Sequence, residues 1–398
     1  MAVAVENEDT EFVIKMLRRL IPIKSISPSS GGEGEGAKAD ELCNILREMG
    51  FENYNRYDTT DNSGKKRSSI VLKIGKMDKT LWLVSHIDTV PEGSPELWTR
   101  PPFTATVEGN RVYGRGAADN GEGIISSLLI IKHLDQSRMK YNLGLVFVAD
   151  EETGSEYGIS HLLSKNIFSD RDLVVVPDSG TPDGLLIEIA EKSILWLQFT
   201  FEGKQGHASR PDLALNATSN AMAFLTSLDQ QLHSSFSDSD ETFEYPKSTF
   251  AITKHDKNVE NINTIPGKDV FFMDCRVLPK YDLDLLMDFI REKATEFTNT
   301  TGIKINIKPV QKEQAPHPTS TNSEVYKILN QTIMKILGKE GKPIGIGGGT
   351  CAAFFRRKGI NAVVWGISAP ESYHKPDEFV VIDYILKAAE VEENMLYD

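Results

Sequence analysis

Short runs of consecutive apolar residues alternate along this chain with segments in which apolar residues recur every three or four positions. The uninterrupted runs lie at 81–85, 143–149, 173–177 and 362–367. Runs of this length are typical of strands that are buried on both faces. Helical spacing is found at 11–21, 42–49 and 121–134. The pattern therefore predicts an α/β fold, with helices covering both faces of a sheet.

Residues 194–308 have a different texture, in which strands alternate between apolar and polar positions. The predicted elements are a strand at 194–202, a helix at 213–232, strands at 248–253 and 269–278, a helix at 282–298, and a strand through Ile303, Ile305 and Ile307. This β-α-β-β-α-β order is that of ferredoxin-like domains. We predict that residues 193–309 form an inserted domain within an α/β domain made of 1–192 and 310–398.

The composition narrows the class of protein. Among 398 residues, 57 are acidic and 44 are Lys or Arg, so the formal net charge is −13. A strongly acidic chain argues against nucleic acid or an anionic membrane as the main partner, because both require a basic face. The hydrophobic fraction of 40% is too high for a disordered chain. The apolar stretches of this chain are too short to span a bilayer.

Cysteine usage and the N-terminal sequence bear on the compartment. Cys43, Cys275 and Cys351 lie far apart and form no CxxC motif, which fits a reducing environment. The first residues, MAVAVENEDTEF, are acidic and lack the basic and apolar regions of a signal peptide. We therefore expect a cytoplasmic protein.

Acidic residues and histidines follow the predicted buried strands. An open α/β sheet places its ligand-binding residues just beyond the carboxyl ends of its strands. At these positions the chain has His86 and Asp88 after the first run, Asp150, Glu151 and Glu152 after the second, Asp178 after the third, and His374 after a short loop beyond the fourth. Asp119 directly precedes the helix predicted from 121.

Imidazole and carboxylate groups together form a mixed nitrogen and oxygen ligand set. Five ligands with one shared carboxylate would suit two divalent ions, most simply zinc, with cobalt or manganese as alternatives. Taken singly, His86 could be an ordinary buried histidine, the pair Glu151–Glu152 a solvated surface pair, and Asp119 a helix N-cap. Their coincidence at strand ends favours a metal site.

The segments SHIDTVP, YGRGAADNGEG, DEETGS, VPDSG and YHKPDE resemble the di-zinc aminoacylase and carboxypeptidase family. That family includes acetylornithine deacetylase, succinyl-diaminopimelate desuccinylase, glutamate carboxypeptidase and several di- and tripeptidases. The resemblance extends over nearly the whole chain. It implies a mixed-sheet catalytic domain of the zinc-exopeptidase type, interrupted by a ferredoxin-like lid domain through which many members form homodimers.

The resemblance also implies roles for the residues at the strand ends. His86 and Asp178 would bind one metal ion, Glu152 and His374 the second, and Asp119 would bridge both. Asp88 would orient His86 and fix its tautomer. Glu151 would act as the general base.

Further residues match the family's substrate-binding positions. In the segment GKQGHASRP, His207 would donate to the oxyanion, often from the partner subunit of a dimer. Asn263 and Arg276 match positions that touch substrate, and Gly349 and Thr350, in GIGGGTCAAFF, match the loop that binds the substrate carboxylate. Without the resemblance, His207 would be read as an exposed loop histidine, and Arg276 could equally form a surface ion pair.

Two departures leave the substrate open. Several deacylases have an acidic residue after the glycines, where this chain has Ala352–Ala353, and many relatives have Glu at the position of Asp178. We predict metal-dependent hydrolysis of an amide bond in a small N-acyl amino acid, an N-succinyl amino acid or a short peptide with a free carboxylate. A dipeptidase or exopeptidase is the alternative within this class.

Other classes of function have weaker support. The glycine clusters GRGAADNG and GIGGGT complete neither a dinucleotide-binding nor a P-loop motif, and no G-x-S-x-G motif of a serine hydrolase is present. A non-catalytic binding protein of the same fold is the more serious rival. Loss of Glu151 or of a metal ligand would be expected in such a protein, and this chain retains them all.

Overall fold

The computed structural model describes residues 8–398, which fold into two compact units. Residues 1–7, which begin the N-terminal sequence considered above, lie outside the described part. The first unit comprises residues up to Ile189 together with Pro318–Pro343 and Thr350–Asp398. The second comprises Ala190–His317 and Ile344–Gly349. The predicted boundaries at 193 and 309 remain a prediction.

Helices and strands alternate along the described chain. The helices are α1 Glu8–Leu20, α2 Gly36–Glu48, α3 Gly121–His133, α4 Ile159–Leu163, α5 Ala217–Ser235, α6 Leu283–Thr301, α7 Glu324–Leu337, α8 Cys351–Arg357 and α9 Ile382–Met395. The strands are β1 Tyr54–Thr60, β2 Lys66–Ile74, β3 Thr80–His86, β4 Thr106–Glu108, β5 Arg111–Tyr113, β6 Asn142–Val148, β7 Leu173–Val176, β8 Leu186–Glu191, β9 Ser193–Glu202, β10 Gly206–His207, β11 Thr249–His255, β12 Thr264–Ile265, β13 Lys268–Val277, β14 Lys304–Glu313, β15 Lys342–Ile346, β16 Ala362–Val364 and β17 Phe379–Val381.

The main sheet has eight strands in the order β1-β2-β6-β3-β7-β16-β8-β15. Its four central strands, β6, β3, β7 and β16, are parallel neighbours, whereas β1, β2 and β8 pair antiparallel. The predicted mixed-sheet α/β fold is therefore confirmed. Two of the four divisions between the compact units fall within β8 and β15.

Both faces of the central strands are covered, as their uninterrupted apolar sequences predict. Every residue of β3, β6 and β7 is buried. On one face, alternate residues such as Val84, Val146 and Val174 form a core with α4 and α8. Helices α3 and α7 also contact the sheet, through β3, β7 and β16, and α9 packs against both helices. The central strands are therefore enclosed on both faces, and the accessible side chains that they position lie beyond their ends.

The second unit follows the predicted β-α-β-β-α-β order through β9, α5, β11, β13, α6 and β14. These strands form an antiparallel sheet in the order β11-β13-β9-β14. Alternate residues of β9 enter the core with both helices, because successive side chains of a strand point to opposite faces; they are Leu195, Leu197, Phe199 and Phe201. The role of this unit as a lid or a dimerisation domain remains a prediction.

Local sequence signals explain where predicted and observed bounds differ. The helix predicted from 213 begins at Ala217 because the side chain of Asn216 accepts a hydrogen bond from the Ser219 amide and caps it. The helix predicted to end at 298 continues to Thr301, and Gly302 then ends it in the left-handed conformation. The two-residue strands β10 and β12 were not predicted.

Within residues 8–398, no helix combines the length and apolar character that a membrane span requires. All three cysteines are buried and free.

Candidate metal centre

The four parallel strands bring the predicted ligands to one edge of the main sheet. His86 is the last residue of β3, and Asp178 follows β7 by two residues. Glu151 and Glu152 lie in a turn after β6, and His374 lies in the loop between β16 and β17. Because neighbouring parallel strands end on the same side, the predicted positions converge in the first unit.

Asp119 lies at the middle of this group. Its Oδ1 is 2.7 Å from His86 Nε2, and its Oδ2 is 2.8 Å from His374 Nε2. The Asp119 carboxylate thus contacts two histidines, one through each of its oxygens. The alternative that Asp119 caps a helix is wrong, because the residue preceding α3 is Asn120 and the Asp119 side chain faces the histidines.

A further carboxylate stands beside each histidine. Asp178 Oδ1 is 3.3 Å from His86 Nε2, and Glu152 Oε1 is 3.3 Å from His374 Nε2. The ligand atoms of His86, Asp119 and Glu152 all lie within 4.8 Å of one another. The arrangement forms two halves that share Asp119, each with one imidazole and one further carboxylate.

The chemistry of this group fits two divalent cations. Oxygen and imidazole donors are the ligands that zinc, cobalt and manganese accept, and a shared carboxylate is the usual bridge between paired ions. Glu152 Oε1 is buried and accepts no well-formed hydrogen bond among the described residues. Two divalent ions could therefore be held by His86, Asp119, Glu152, Asp178 and His374.

The nearby carboxylates also change the pKa values of the two histidines. Burial by itself would lower the pKa of His86, but the negative charges of Asp178 and Asp119 outweigh it and hold the pKa well above its ordinary value. The carboxylates of Asp119 and Glu152, which lie 2.8 and 3.3 Å from His374 Nε2, raise the pKa of His374 to about 10. Each imidazole is thus surrounded by negative charge, an environment that suits a cation.

Asp88, which is fully buried, holds the turn after β6. Its Oδ1 accepts from the Glu151 amide at 3.1 Å, and its Oδ2 accepts from the Glu152 amide at 2.9 Å. Its backbone oxygen lies 3.1 Å from His86 Nδ1, and its Oδ1 lies 3.4 Å away. A proton on Nδ1 would leave Nε2 free to bind metal, so the position of Asp88 fits the predicted role of orienting His86, and its carboxylate bonds the acidic turn.

Glu151 adjoins the ligands without bonding to a histidine. Burial of its carboxyl group, followed by the negative charge of Asp178, raises the pKa of Glu151 well above its ordinary value. A carboxylate with an increased proton affinity is suited to accept and return a proton near neutral pH. This property fits the predicted role of general base.

The backbone at Asp119 is held by two residues that the sequence prediction missed. Pairing of β5 with β17 brings Arg115 and Glu378 together, 2.5 Å apart and almost fully buried. Glu378 Oε1 accepts from the amides of Ala118 and Asp119 at 3.0 and 3.1 Å. The only signal in the sequence was the position of Glu378 in YHKPDE, and nothing there indicates its partners.

The remaining predicted residues lie in the second unit, apart from Thr350. Exposed His207 lies in β10 and pairs with Thr264 in β12. The Asn263 backbone oxygen accepts from the Ala208 amide at 2.9 Å, so His207 and Asn263 are near each other. His207 Nδ1 accepts from the Ser209 amide at 3.2 Å, which leaves Nε2 as the donor nitrogen of the neutral ring.

Arg276, in β13, already has three hydrogen bonds. Its Nε and Nη2 donate to the Asp274 carboxylate at 2.8 and 3.1 Å, and its Nη1 donates to the Gly347 oxygen at 2.9 Å. The last bond ties Arg276 to the short segment that contains Gly349. Thr350 belongs to the first unit and caps α8, accepting from the Ala352 amide at 3.2 Å. The ion pair considered for Arg276 is present, and a carboxylate ligand would share the guanidinium with Asp274.

Residues 82–398 match the model of Peptidase family M20/M25/M40. The chain belongs to this family. The resemblance inferred from the motifs is thereby confirmed, as is a metallohydrolase as the general class. The match begins within β3 and includes every strand end of the site.

Curated relatives cover almost the full length of the chain. An uncharacterised metallohydrolase of Methanocaldococcus jannaschii is 42% identical over 96% of this chain and 98% of its own. A succinyl-diaminopimelate desuccinylase of Nautilia profundicola is 26% identical over 95% of this chain and 97% of its own.

Among solved structures, an M20 family metallo-carboxypeptidase of Sulfolobus solfataricus superimposes with a TM-score of 0.73 at 22% identity, covering 98% of this chain and 99% of its own. A dinuclear metal-binding peptidase of the same family from Bacillus subtilis has a TM-score of 0.68 at 15% identity, covering 98% of both chains. These likenesses show the shared fold.

Proposed function

We propose that this protein hydrolyses an amide bond next to a free carboxylate, in a small N-acyl or N-succinyl amino acid or in a short peptide, with two divalent metal ions, most simply zinc. The observation that carries the proposal is the Asp119 carboxylate, which faces His86 with one oxygen and His374 with the other. Each half of the site has one imidazole and one carboxylate, and Asp119 is shared between the halves. This arrangement suits two cations better than a single structural ion.

When bound, two divalent ions would polarise the scissile carbonyl and lower the pKa of water to about 7. His86 and Asp178 would hold one of them, and Glu152 and His374 the other. Cobalt or manganese would suit the same oxygen and nitrogen donors.

Glu151 would carry the proton during the reaction. Its carboxylate would take a proton from the attacking water and then give it to the leaving amine. The Asp88 carboxylate holds the amides of both Glu151 and Glu152, so the base keeps a fixed place next to a ligand. General acid–base catalysis of this kind contributes about 10²–10⁴-fold to a rate.

Residues of the second unit would recognise the substrate. His207 Nε2 would donate a hydrogen bond to the oxyanion, since Ser209 occupies Nδ1. Arg276 and the glycine segment to which it bonds would bind the free carboxylate, together with Asn263. Thr350, of the first unit, is a further candidate for binding the substrate. Gly349 has no neighbour within 4 Å of where a Cβ would stand, so its backbone is open to a ligand.

We further infer a cytoplasmic homodimer that associates through the second unit. The acidic composition and the buried, free cysteines support the compartment. Strands β11 and β14 are the edges of the second unit's sheet, and an edge strand offers unpaired backbone groups for association. Sedimentation of the purified protein would test the assembly.

A substrate panel tests the proposed function. N-acetyl amino acids, N-succinyl amino acids and dipeptides should be compared as substrates of the protein reconstituted with zinc or cobalt. The desuccinylase relatives favour hydrolysis of the N-acyl compounds, and a strong preference for dipeptides would instead favour the exopeptidase alternative. A metal-loaded protein that turns over none of these compounds would support the non-catalytic rival.

A further inference from the structure

The turn that carries Glu151 and Glu152 begins with a residue in an unusual backbone conformation. Asp150 follows β6 and has φ 67°, in the left-handed region. A residue other than glycine occupies this region uncommonly and at an energetic cost, so neighbouring groups must hold it there. Asp150 is 2% exposed, so the groups that hold its backbone are other protein residues and not solvent.

A buried arginine and a buried glutamate surround Asp150. Arg67 of β2 donates its Nε to both oxygens of Glu35, at 2.8 and 3.1 Å, and its Nη2 to Glu35 Oε1 at 2.5 Å. The same Nη2 lies 3.0 Å from Asp150 Oδ1. Glu35 Oε1 also accepts from the Asp150 amide at 3.3 Å. The pair thus contacts Asp150 through its side chain and through its backbone.

The outer side of the turn is bonded as well. Asp150 Oδ1 accepts from the Thr153 hydroxyl at 2.5 Å, and Asp150 Oδ2 accepts from the Tyr157 amide at 2.9 Å. On the far side, Asp88 accepts from the amides of Glu151 and Glu152. Every backbone amide from 150 to 152 therefore donates to a buried carboxylate.

We propose that Arg67 and Glu35 are positioning residues, which act through Asp150 to fix the place of Glu151 and Glu152. This inference rests on the proposed function, in which these two residues are the base and a metal ligand. This role requires the planar guanidinium of Arg67, because that group bonds Glu35 through two nitrogens and also reaches Asp150. A lysine has the same charge but cannot reproduce these contacts.

The test is Arg67→Lys in the metal-loaded protein, with kcat, KM, metal content and the visible absorption spectrum of the cobalt-substituted form as readouts. We expect kcat to fall about 10-fold or more, as for other groups that support metal ligands, with KM and cobalt content unchanged. The cobalt spectrum should shift because Glu152 changes its position. Melting temperature is measured in parallel.

Arg356→Lys is the matched control. Arg356 is also buried and pairs with a buried glutamate, Glu188, at 3.2 Å in the first unit. It should lower the melting temperature and leave kcat and the cobalt spectrum unchanged. If Arg67→Lys behaves in the same way, Arg67 has only a structural role and the proposal is wrong.

Glu35→Gln keeps the proposal testable if Arg67→Lys does not fold, and the same shift in spectrum and kcat is expected. Failure of the proposed function is a separate result, since the unsubstituted protein would then show no turnover. The cobalt spectrum would still report on the turn.

Discussion

The two compact units present their candidate residues in opposite ways. In the first unit, His86 and Asp88 are at most 2% exposed, and buried carboxylates hold the backbone of the ligand-bearing turns, although the side chain of His374 is 53% exposed. In the second unit, His207 is exposed and lies in a two-residue strand. In the proposed function, the reaction takes place at the sheet edge of the first unit, and exposed groups of the second unit recognise the substrate. Substitutions in the first unit should therefore affect rate or metal binding, and those in the second the response to substrate.

The largest effect is expected for Glu151→Gln. Glutamine keeps the shape of the side chain but cannot accept a proton, so kcat should fall by about 10²–10⁴-fold. Zinc content, measured by mass spectrometry, should stay unchanged. Glu152→Gln is the matched control, because loss of a ligand should lower metal content. Substantial hydrolysis by Glu151→Gln would mean that another group is the base.

His207→Ala should have the next largest effect. Removal of an oxyanion donor costs about 10²–10³-fold in kcat, while metal content should not change. The comparison variant is His233→Ala, which removes an exposed histidine of α5 in the same unit and should leave kcat unchanged. If both variants match the unsubstituted protein, His207 takes no part in the reaction.

Arg276→Met probes recognition of the substrate carboxylate. Hydrogen bonds to charged groups contribute about 1.5–3 kcal/mol, so KM should rise by about 10–100-fold for substrates with a free carboxylate. Substrates with an amidated C-terminus should show little change. Arg291→Met, on the exposed side of α6, is the control. An unchanged KM would leave Arg276 with only its structural bonds to Asp274 and Gly347.

The smallest effect concerns a buried carboxyl group in the first unit to which we assign no catalytic role. Burial raises the pKa of Glu392 from 4.5 to about 8. The folded protein therefore binds a proton that the unfolded chain releases, and the free energy of unfolding falls as pH rises from about 4.5 to 8. Glu392→Gln should remove this loss, gaining up to a few kcal/mol relative to the unsubstituted protein by pH 8.

Denaturant unfolding at pH 5 and pH 8 measures this difference, and kcat should be unaffected. A pH-independent difference in unfolding free energy would show that Glu392 is ionised in the folded state. A loss of activity would show that a buried carboxyl group without a ligand role can still influence the reaction.

The sequence predicted most of the fold and the ligand positions for a physical reason. Uninterrupted apolar runs require strands buried on both faces, and parallel strands necessarily end at one edge. Hence the sequence alone places His86, Asp178 and the acidic turn after β6 at one edge of the sheet. Alternation in β9 likewise determined which face enters the core of the second unit.

The supporting groups could not be predicted in the same way. Glu35 lies in a glycine-rich loop and meets Arg67 and Asp150 only after folding, 32 and 115 residues away. Glu378 meets Arg115 because two short strands, β5 and β17, pair across the chain. Pairings between distant segments leave no periodic signal in a single sequence, so buried charges of this kind become visible only in the structure.

Metal stoichiometry tests the central claim most directly. The unsubstituted protein and Asp119→Asn should each be stripped with chelator, reconstituted with zinc, passed through a desalting column and measured by mass spectrometry. We predict about two zinc ions per chain for the unsubstituted protein and a large loss for Asp119→Asn, because one carboxylate serves both halves of the site. An unsubstituted protein that retains no zinc, or an Asp119→Asn variant that retains two ions, would contradict the account.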